Sequence, residues 1–379
     1  MKRKIFCAFL ATLLAGGLCL PTQAAECSAK AALVMECATG TVLYEKNADL
    51  SLPEASTTKI MTALLVLENT SPDATVTVSP AAASVEGSQI GLAEGDTLSV
   101  RDLLYVLMLK SGNDAAVALA EHVDKSTDAF AARMNEKAAR LGMVNSHFAN
   151  PHGLPDDTHY TTARDLAILT AYALENPAFR QLVGTRKVTL DYHRLTIANS
   201  NRLLDSCDGV CGVKTGFTKK AGRCLVSAAT RNGITLVCVT LNDPDDWDDH
   251  AALYDACFPR VDRYLLMPAK TSRLAVPAAG GKSDGILTNA SALYGICIDG
   301  VPVTGTVREN LPPVLFAPAP AYRRWGFLSL ETADGKVMSR SDLYLIAACE
   351  TKKEEPSFAR RFFRNFQSLW QIIFPKTAS

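Results

Sequence analysis

The chain has no excess of either charge: lysine plus arginine number 39, and aspartate plus glutamate also number 39. Nucleic-acid binders usually carry a basic surplus, so nucleic acid is excluded as a partner and any charge argument has to be local. No two cysteines have the CxxC spacing and the six histidines form no rich tract, so no metal or other cofactor is expected. Internal repeats are absent. The apolar run near the N-terminus, Ile5 to Leu20, stops short of the ~20 residues that cross a bilayer.

What is present is ordinary globular composition, 48% hydrophobic and 21% charged, over 379 residues, enough for two domains. Lys2, Arg3 and Lys4 precede the apolar run, and Thr22-Gln23-Ala24-Ala25 follows it with small residues. Positive, apolar and small-residue regions in that order mark residues 1–25 as a secretory signal peptide. Leu18 before Cys19 speaks against lipoprotein processing there. The protein is therefore expected outside the cytoplasmic membrane.

Nine of the 11 cysteines lie beyond the signal, so at least one is unpaired in a monomer. Cys207 and Cys211 are close enough to bridge a loop. Cys224 and Cys238 are a weaker pair. If Asn232-Gly233 is a two-residue hairpin turn, Cys238 faces Ser227 and Cys224 faces Leu241, which puts the two thiols on opposite faces. Buried, inert thiols fit most of them better.

Residues 31–36 and 41–45 read as strands, and 56–68, 102–109, 114–123, 127–141 and 162–174 as helices. Ser99 and Asp102 have the spacing of a capping box. Residues 224–230 and 234–241 read as strands around Asn232-Gly233. Strands at both ends with helices between predict an α+β domain over 28–258. From 262 to 350, short apolar runs broken by prolines and turns such as Asp334-Gly335 predict a small, mostly β domain.

A polar hinge at 352–356 leads into 358–374. There Phe358, Phe362, Phe366, Leu369, Trp370 and Ile373 share one helical face, and Arg360, Arg361, Arg364, Gln367 and Gln371 share the other. Three arginines make spanning costly. A basic, aromatic amphipathic helix suits the membrane interface, so 358–374 is expected to anchor the protein on a membrane surface.

Ser56-Thr57-Thr58-Lys59 opens a predicted helix. At i and i+3, Ser56 and Lys59 share a face. A serine hydroxyl is a weak nucleophile until a base takes its proton. Lysine serves as that base only if burial or a second cation keeps it neutral. Ser111-Gly112-Asn113 lies between two helices and reads by itself as a turn. Lys214-Thr215-Gly216 follows a loop; Gly216 allows close backbone approach, and Lys214 is a candidate second cation. Singly, each motif is weak.

Together, SxxK at 56, SxN at 111 and KTG at 214 form the set found in class A β-lactamases and penicillin-binding proteins. The chain resembles the low-molecular-mass penicillin-binding proteins, the serine-type D-alanyl-D-alanine carboxypeptidases. Stretches 52–65, 107–122, 149–167, 199–204 and 212–233 share the resemblance, which covers roughly residues 30–257 closely. It implies a β-lactamase/transpeptidase-like sheet flanked by a helical cluster. It also implies roles: Ser56 as nucleophile, Lys59 as general base, Ser111 as proton relay, Asn113 orienting the peptide, and Lys214, Thr215 and Gly216 at the substrate carboxylate. The backbone N–H groups of Ser56 and Phe217 would form the oxyanion hole. The implied substrate is a peptidoglycan stem peptide, with β-lactams as inhibitors.

Other polar residues read as structural: His152 in a loop, Arg164-Asp165 at a helix start, and the acidic stretch 243–250 as a solvated loop opening a helix. Three alternatives compete. A β-lactamase is disfavoured because no ExxxN lies where a deacylating glutamate would be expected; His152-Gly153-Leu154 stands there instead. A D,D-endopeptidase acting on cross-links is not separated by the sequence. A non-catalytic cell-wall binding protein is disfavoured by the intact set of acting side chains.

Overall fold

A computed structural model describes residues 27–352. The signal segment 1–25 and the amphipathic segment 358–374 lie outside the described residues. No helix among the described residues is long and apolar enough to cross a membrane.

Strands β1 (Ala31–Glu36) and β2 (Val42–Lys46) form the opening hairpin. A 3-10 turn, Ala55–Thr58, then runs directly into α1 (Lys59–Asn69). The helical cluster continues with α2 (Val100–Tyr105), α3 (Asn113–Asp124), α4 (Thr127–Leu141), α5 (Ala163–Glu175) and α6 (Pro177–Gly184). The chain returns through β3 (Val210–Thr218), β4 (Gly222–Arg231) and β5 (Ile234–Leu241), followed by α7 (Asp246–Cys257). The sheet order is β2-β1-β5-β4-β3, antiparallel throughout.

Alternation along each strand divides two cores. Leu33, Met35, Val226, Val237 and Val239 face the helical cluster, whereas Ala32, Val34, Leu225 and Leu236 face α7 through Leu253 and Tyr254. Both faces are covered, so the strands read as unbroken apolar runs rather than alternating ones. Each fully buried Leu or Val contributes roughly 1.5–3 kcal/mol. Asn232 (φ 50) and Gly233 (φ 74) make the turn between β4 and β5, with both central residues left-handed as a type I′ turn requires. The resulting register pairs Cys224 with Leu241 and Ser227 with Cys238. Cys224 lies in the helix-side core and Cys238 in the other. All nine described cysteines are free thiols. The bridge weighed for Cys207 and Cys211 is not formed: Cys211 Sγ approaches the Ala228 carbonyl, and Cys207 Sγ accepts from Arg231.

The caps explain the helix starts. Ser126 accepts from Ala129 N–H at the head of α4, and Thr162 from Asp165 N–H at the head of α5. Ser99 accepts from Asp102 N–H at 3.0 Å, but the Asp102 carboxylate takes the Tyr192 N–H instead of returning to Ser99. Only half of the expected capping box exists. The helix expected over 102–109 also differs. It is α-helical only to Tyr105, then widens into a π-turn over Val106–Lys110 and stops at Ser111, which is left-handed at φ 61. Such widened turns recur at functional sites.

The C-terminal part comprises β6 (Val261–Met267), β7 (Leu274–Val276), β8 (Gly285–Asn289), β9 (Leu293–Ile298), β10 (Val301–Pro302), β11 (Thr306–Asn310), β12 (Arg324–Glu331) and β13 (Val337–Leu345). They form a β6-β9-β10 sheet and a β7-β8-β13-β12-β11 sheet. Val276, Leu287, Leu293, Leu328 and Leu343 build a separate core there, while Val261 and Ile296 join the core beneath α7. The architecture is α+β with a β domain.

Candidate active site

Ser56 sits on the 3-10 turn at the head of α1, immediately after Ala55, whose φ of 50 is unusual for a residue with a side chain. The turn is tied by Thr57 Oγ1 donating to the Glu54 carbonyl and Thr58 Oγ1 donating to the Ala55 carbonyl, both at 2.7 Å. Beneath it, Ala149 N–H donates to His159 Nδ1 at 3.0 Å. The proton of His159 is therefore on Nε2, which lies 2.8 Å from Thr58 Oγ1 and 3.2 Å from the buried Glu54 carboxylate. Gly153 passes so close that a Cβ there would meet the Ala55 carbonyl oxygen at 2.0 Å.

Lys59 is fully buried, one turn along from Ser56. Its Nζ contacts Ser56 Oγ at 2.9 Å, Asn113 Oδ1 at 2.7 Å and the His152 carbonyl at 2.6 Å. The Asn113 amide is oriented by its other half, since Nδ2 donates to the Glu86 carbonyl at 2.6 Å. Two of the three neighbours of Nζ are thus pure acceptors. A neutral amine has two N–H bonds and one lone pair. The acceptors take the two N–H bonds, and the lone pair is left facing the Ser56 hydroxyl, the one neighbour able to donate.

Burial holds the Lys59 pKa well below the ordinary lysine value, and the Lys214 ammonium lowers it further; Asp114 opposes. Desolvation is the larger cause, so the second cation assists rather than decides. Lys214 itself is pushed down to about 7 by burial. Its Nζ donates to the Thr215 carbonyl at 2.8 Å and its side chain is inside the protein. It pairs across the strands with Val226, whose side chain belongs to the helix-side core, so Lys214 points to the same side of the sheet as Lys59.

Ser56, Ser111, Thr215, Gly216 and Phe217 line one open cleft of about 510 Å³. Gly216 brings β3 against the catalytic turn: a Cβ there would stand 3.0 Å from the Glu54 carbonyl oxygen and 3.1 Å from Ser56 N. Asn113 is buried, with both ends of its amide engaged by Lys59 and Glu86, so in this arrangement it orients the lysine. Phe217 is largely exposed at the rim.

Several residues of the site escaped sequence reasoning. Arg202, Arg223, Asp246 and Trp247 line the same cleft. Arg223 is paired with Asp246 and lies over the Trp247 ring at 5.6 Å. Asn199–Leu204 was noticed only through its resemblance, and nothing in its spacing marks Arg202. His152 contributes its backbone carbonyl rather than its ring. Burial, then Lys59, pushes that ring down to about 3, so it stays neutral. Carbonyls leave no signature in a sequence.

Residues 20–245 match the family model described as D-alanyl-D-alanine carboxypeptidase. The chain is 33% identical over 342 residues to D-alanyl-D-alanine carboxypeptidase DacF of Bacillus subtilis, covering 86% of each. It is 40% identical over 223 residues to a D-alanyl-D-alanine carboxypeptidase of Streptomyces sp. strain K15, covering 54% of this chain and 77% of that one. Among solved structures, the D-alanyl-D-alanine carboxypeptidase DacD of Francisella tularensis superposes with a TM-score of 0.61 at 28% identity. The match covers 89% of this chain and 97% of that one.

Proposed function

The chain belongs to the D-alanyl-D-alanine carboxypeptidase family, and from that premise we propose how its cleft carries out the reaction. The protein is a serine D-Ala-D-Ala carboxypeptidase of the low-molecular-mass penicillin-binding proteins; it acts on peptidoglycan stem peptides and takes β-lactams. The observation that carries our mechanism is the buried Lys59 amine, whose pKa burial lowers and whose three contacts are two pure acceptors and the Ser56 hydroxyl, its one neighbour able to donate.

Lys59 removes the Ser56 proton as Oγ attacks the carbonyl between the two terminal D-alanines. The oxyanion is held by the backbone N–H groups of Ser56 and Phe217. The close approach of Gly216 to Ser56 N supports that pairing. Preorganised donors of this kind are worth about 3–4 kcal/mol. Ser111, on the same cleft wall, passes the proton to the departing D-alanine amine. Water then hydrolyses the acyl-enzyme, with Lys59 again taking a proton. Thr215 meets the terminal carboxylate, and Lys214, close enough to lower the Lys59 pKa, adds positive potential beside it. Arg202 adds an exposed cation to the cleft.

We assign the mature protein to the outer face of the cytoplasmic membrane. The support is the signal-like order of residues 1–25 and the basic amphipathic pattern of 358–374.

The test is D-alanine release from a stem pentapeptide by wild type and Ser56→Ala, with and without penicillin. Release by wild type alone, abolished by penicillin, is expected. Equal release by Ser56→Ala sinks the mechanism. Cleavage of a cross-linked dimer in the same assay would instead point to endopeptidase action.

A further inference from the structure

The acidic stretch after β5 is not the solvated loop its composition suggested. Asp245 and Asp248 are exposed, but Asp243 is fully buried and Asp249 nearly so. Both carboxylates turn toward the first described residues of the chain. The Ser28 hydroxyl lies 2.8 Å from Asp243 Oδ1 and 2.7 Å from Asp249 Oδ2, and Ser28 N–H donates to Asp249 Oδ2 at 2.6 Å. One hydroxyl proton thus faces two carboxylates. The buried thiol of Cys27 completes the group, with one ligand atom each from Cys27, Asp243 and Asp249 within 4.8 Å of one another.

The charge there is unbalanced. Among the described residues, no lysine or arginine lies in ion-pairing reach of Asp243 or Asp249. Arg223 is paired with Asp246 instead. The Lys46 amine is engaged with the Cys27 carbonyl at 2.6 Å. Asp243 Oδ2 is buried and has no hydrogen-bond partner among the described residues, an arrangement with a real desolvation cost. Buried carboxylates are ordinarily paired or bound to metal.

We propose that Cys27 Sγ, Asp243 and Asp249 bind a divalent cation of the zinc class. The Asp243 oxygen that lacks a partner is one ligand, and Ser28 Oγ or water fills the fourth position. A thiolate with two carboxylates is a borderline donor set, which favours Zn²⁺ over the all-oxygen shells of Ca²⁺ or Mg²⁺. Tetrahedral zinc, with bonds of about 2.0–2.3 Å, sets its ligand atoms about 3.4–3.6 Å apart, so the trio contracts by at most about 1.4 Å on binding. Binding releases the thiol proton, because only the thiolate ligates. The site joins the segment entering β1 to the loop leaving β5. These are adjacent strands, so the ion would staple the N-terminal edge of the fold to α7.

The protein from residue 26 onward, stripped with chelator, is titrated with Zn²⁺ by calorimetry and with Co²⁺ by absorption. One Zn²⁺ per chain, a thiolate-to-cobalt charge-transfer band and a raised Tm are expected. Cys27→Ser and Asp243→Asn should each weaken binding by about tenfold or more, with penicillin labelling of Ser56 retained as proof of folding. The cobalt band needs no variant, so it stands even if a substitution fails to fold. No stoichiometric binding, or cobalt bound without the thiolate band, overturns the proposal. So does Zn²⁺ affinity unchanged in both variants. A Tm raised by Asp243→Asn but not by Zn²⁺ would show two carboxyls sharing a proton instead.

Discussion

Replacing Gly153 with alanine strikes the catalytic turn from beneath. The added Cβ would lie 2.0 Å from the Ala55 carbonyl oxygen, 2.5 Å from its carbon and 2.7 Å from Thr58 Oγ1. Carbon–oxygen contacts settle at about 3.3 Å or beyond, so the two backbones must part by roughly an ångström. Gly153 also sits at φ +85, where a side chain costs about 1–2 kcal/mol. Overpacking adds about 1–3 kcal/mol. The segments forced apart carry the reacting groups: Ala55 precedes Ser56, and His152 offers its carbonyl to Lys59 at 2.6 Å. A displacement of that size costs on the order of 100-fold in rate. Gly142 is the control. It has φ +78 at the end of α4 with nothing near its would-be Cβ, so Gly142→Ala carries the backbone strain without the collision. The assay is the second-order rate of labelling by a fluorescent penicillin, with Tm measured in parallel. Gly153→Ala should label about 100-fold more slowly; Gly142→Ala should lose about 1–2 kcal/mol of stability and label normally. Labelling of Gly153→Ala within about threefold of wild type, or an equal loss in Gly142→Ala, would refute the reasoning.

Other perturbations probe the remaining parts of the site. Asn113→Asp puts a carboxylate in place of the amide that orients Lys59, favouring the charged amine. Acylation should drop about tenfold or more at neutral pH and recover toward alkaline pH, and a pH profile superimposing on wild type would count against the neutral-lysine reading. Lys214 titrates at about 7 when folded, against about 10.4 in an unfolded chain. Between those values the unfolded chain binds more protons, so this residue makes stability rise as pH climbs from 7 to 10. Urea unfolding at pH 7 and 9 should show that rise shrinking in Lys214→Met; an unchanged slope would contradict it. Deleting residues 358–379 should release the mature protein from membranes with D-alanine release intact, and retention on membranes would rule out the anchor.

Much of this protein is local chemistry, and local chemistry is written in the sequence. The Asn232-Gly233 turn set the β4–β5 register, and with it the opposite faces of Cys224 and Cys238, because strand periodicity is strictly two. The limits expected for α4, 127–141, match the structure, where Ser126 and Gly142 cap its two ends. Ser56 and Lys59 could be paired because three residues make nearly one helical turn. What lay beyond reach was set by atoms without sequence identity or by groups far apart in the chain. The π-turn before Ser111, the missing half of the Ser99 cap and the His152 carbonyl all answer to tertiary neighbours. Lys214 was legible as a second cation, but the burial that pushes its pKa down to about 7 belongs to the fold. Asp243 and Asp249 looked solvated because five clustered carboxylates suggest water, yet the loop leaving β5 turns Asp243 inside and α7 packs Asp249 against the sheet. The neutrality of Lys59 is the clearest case. Its partner Ser56 was legible from spacing, but the burial that drives its pKa down is decided only when the helical cluster closes over α1.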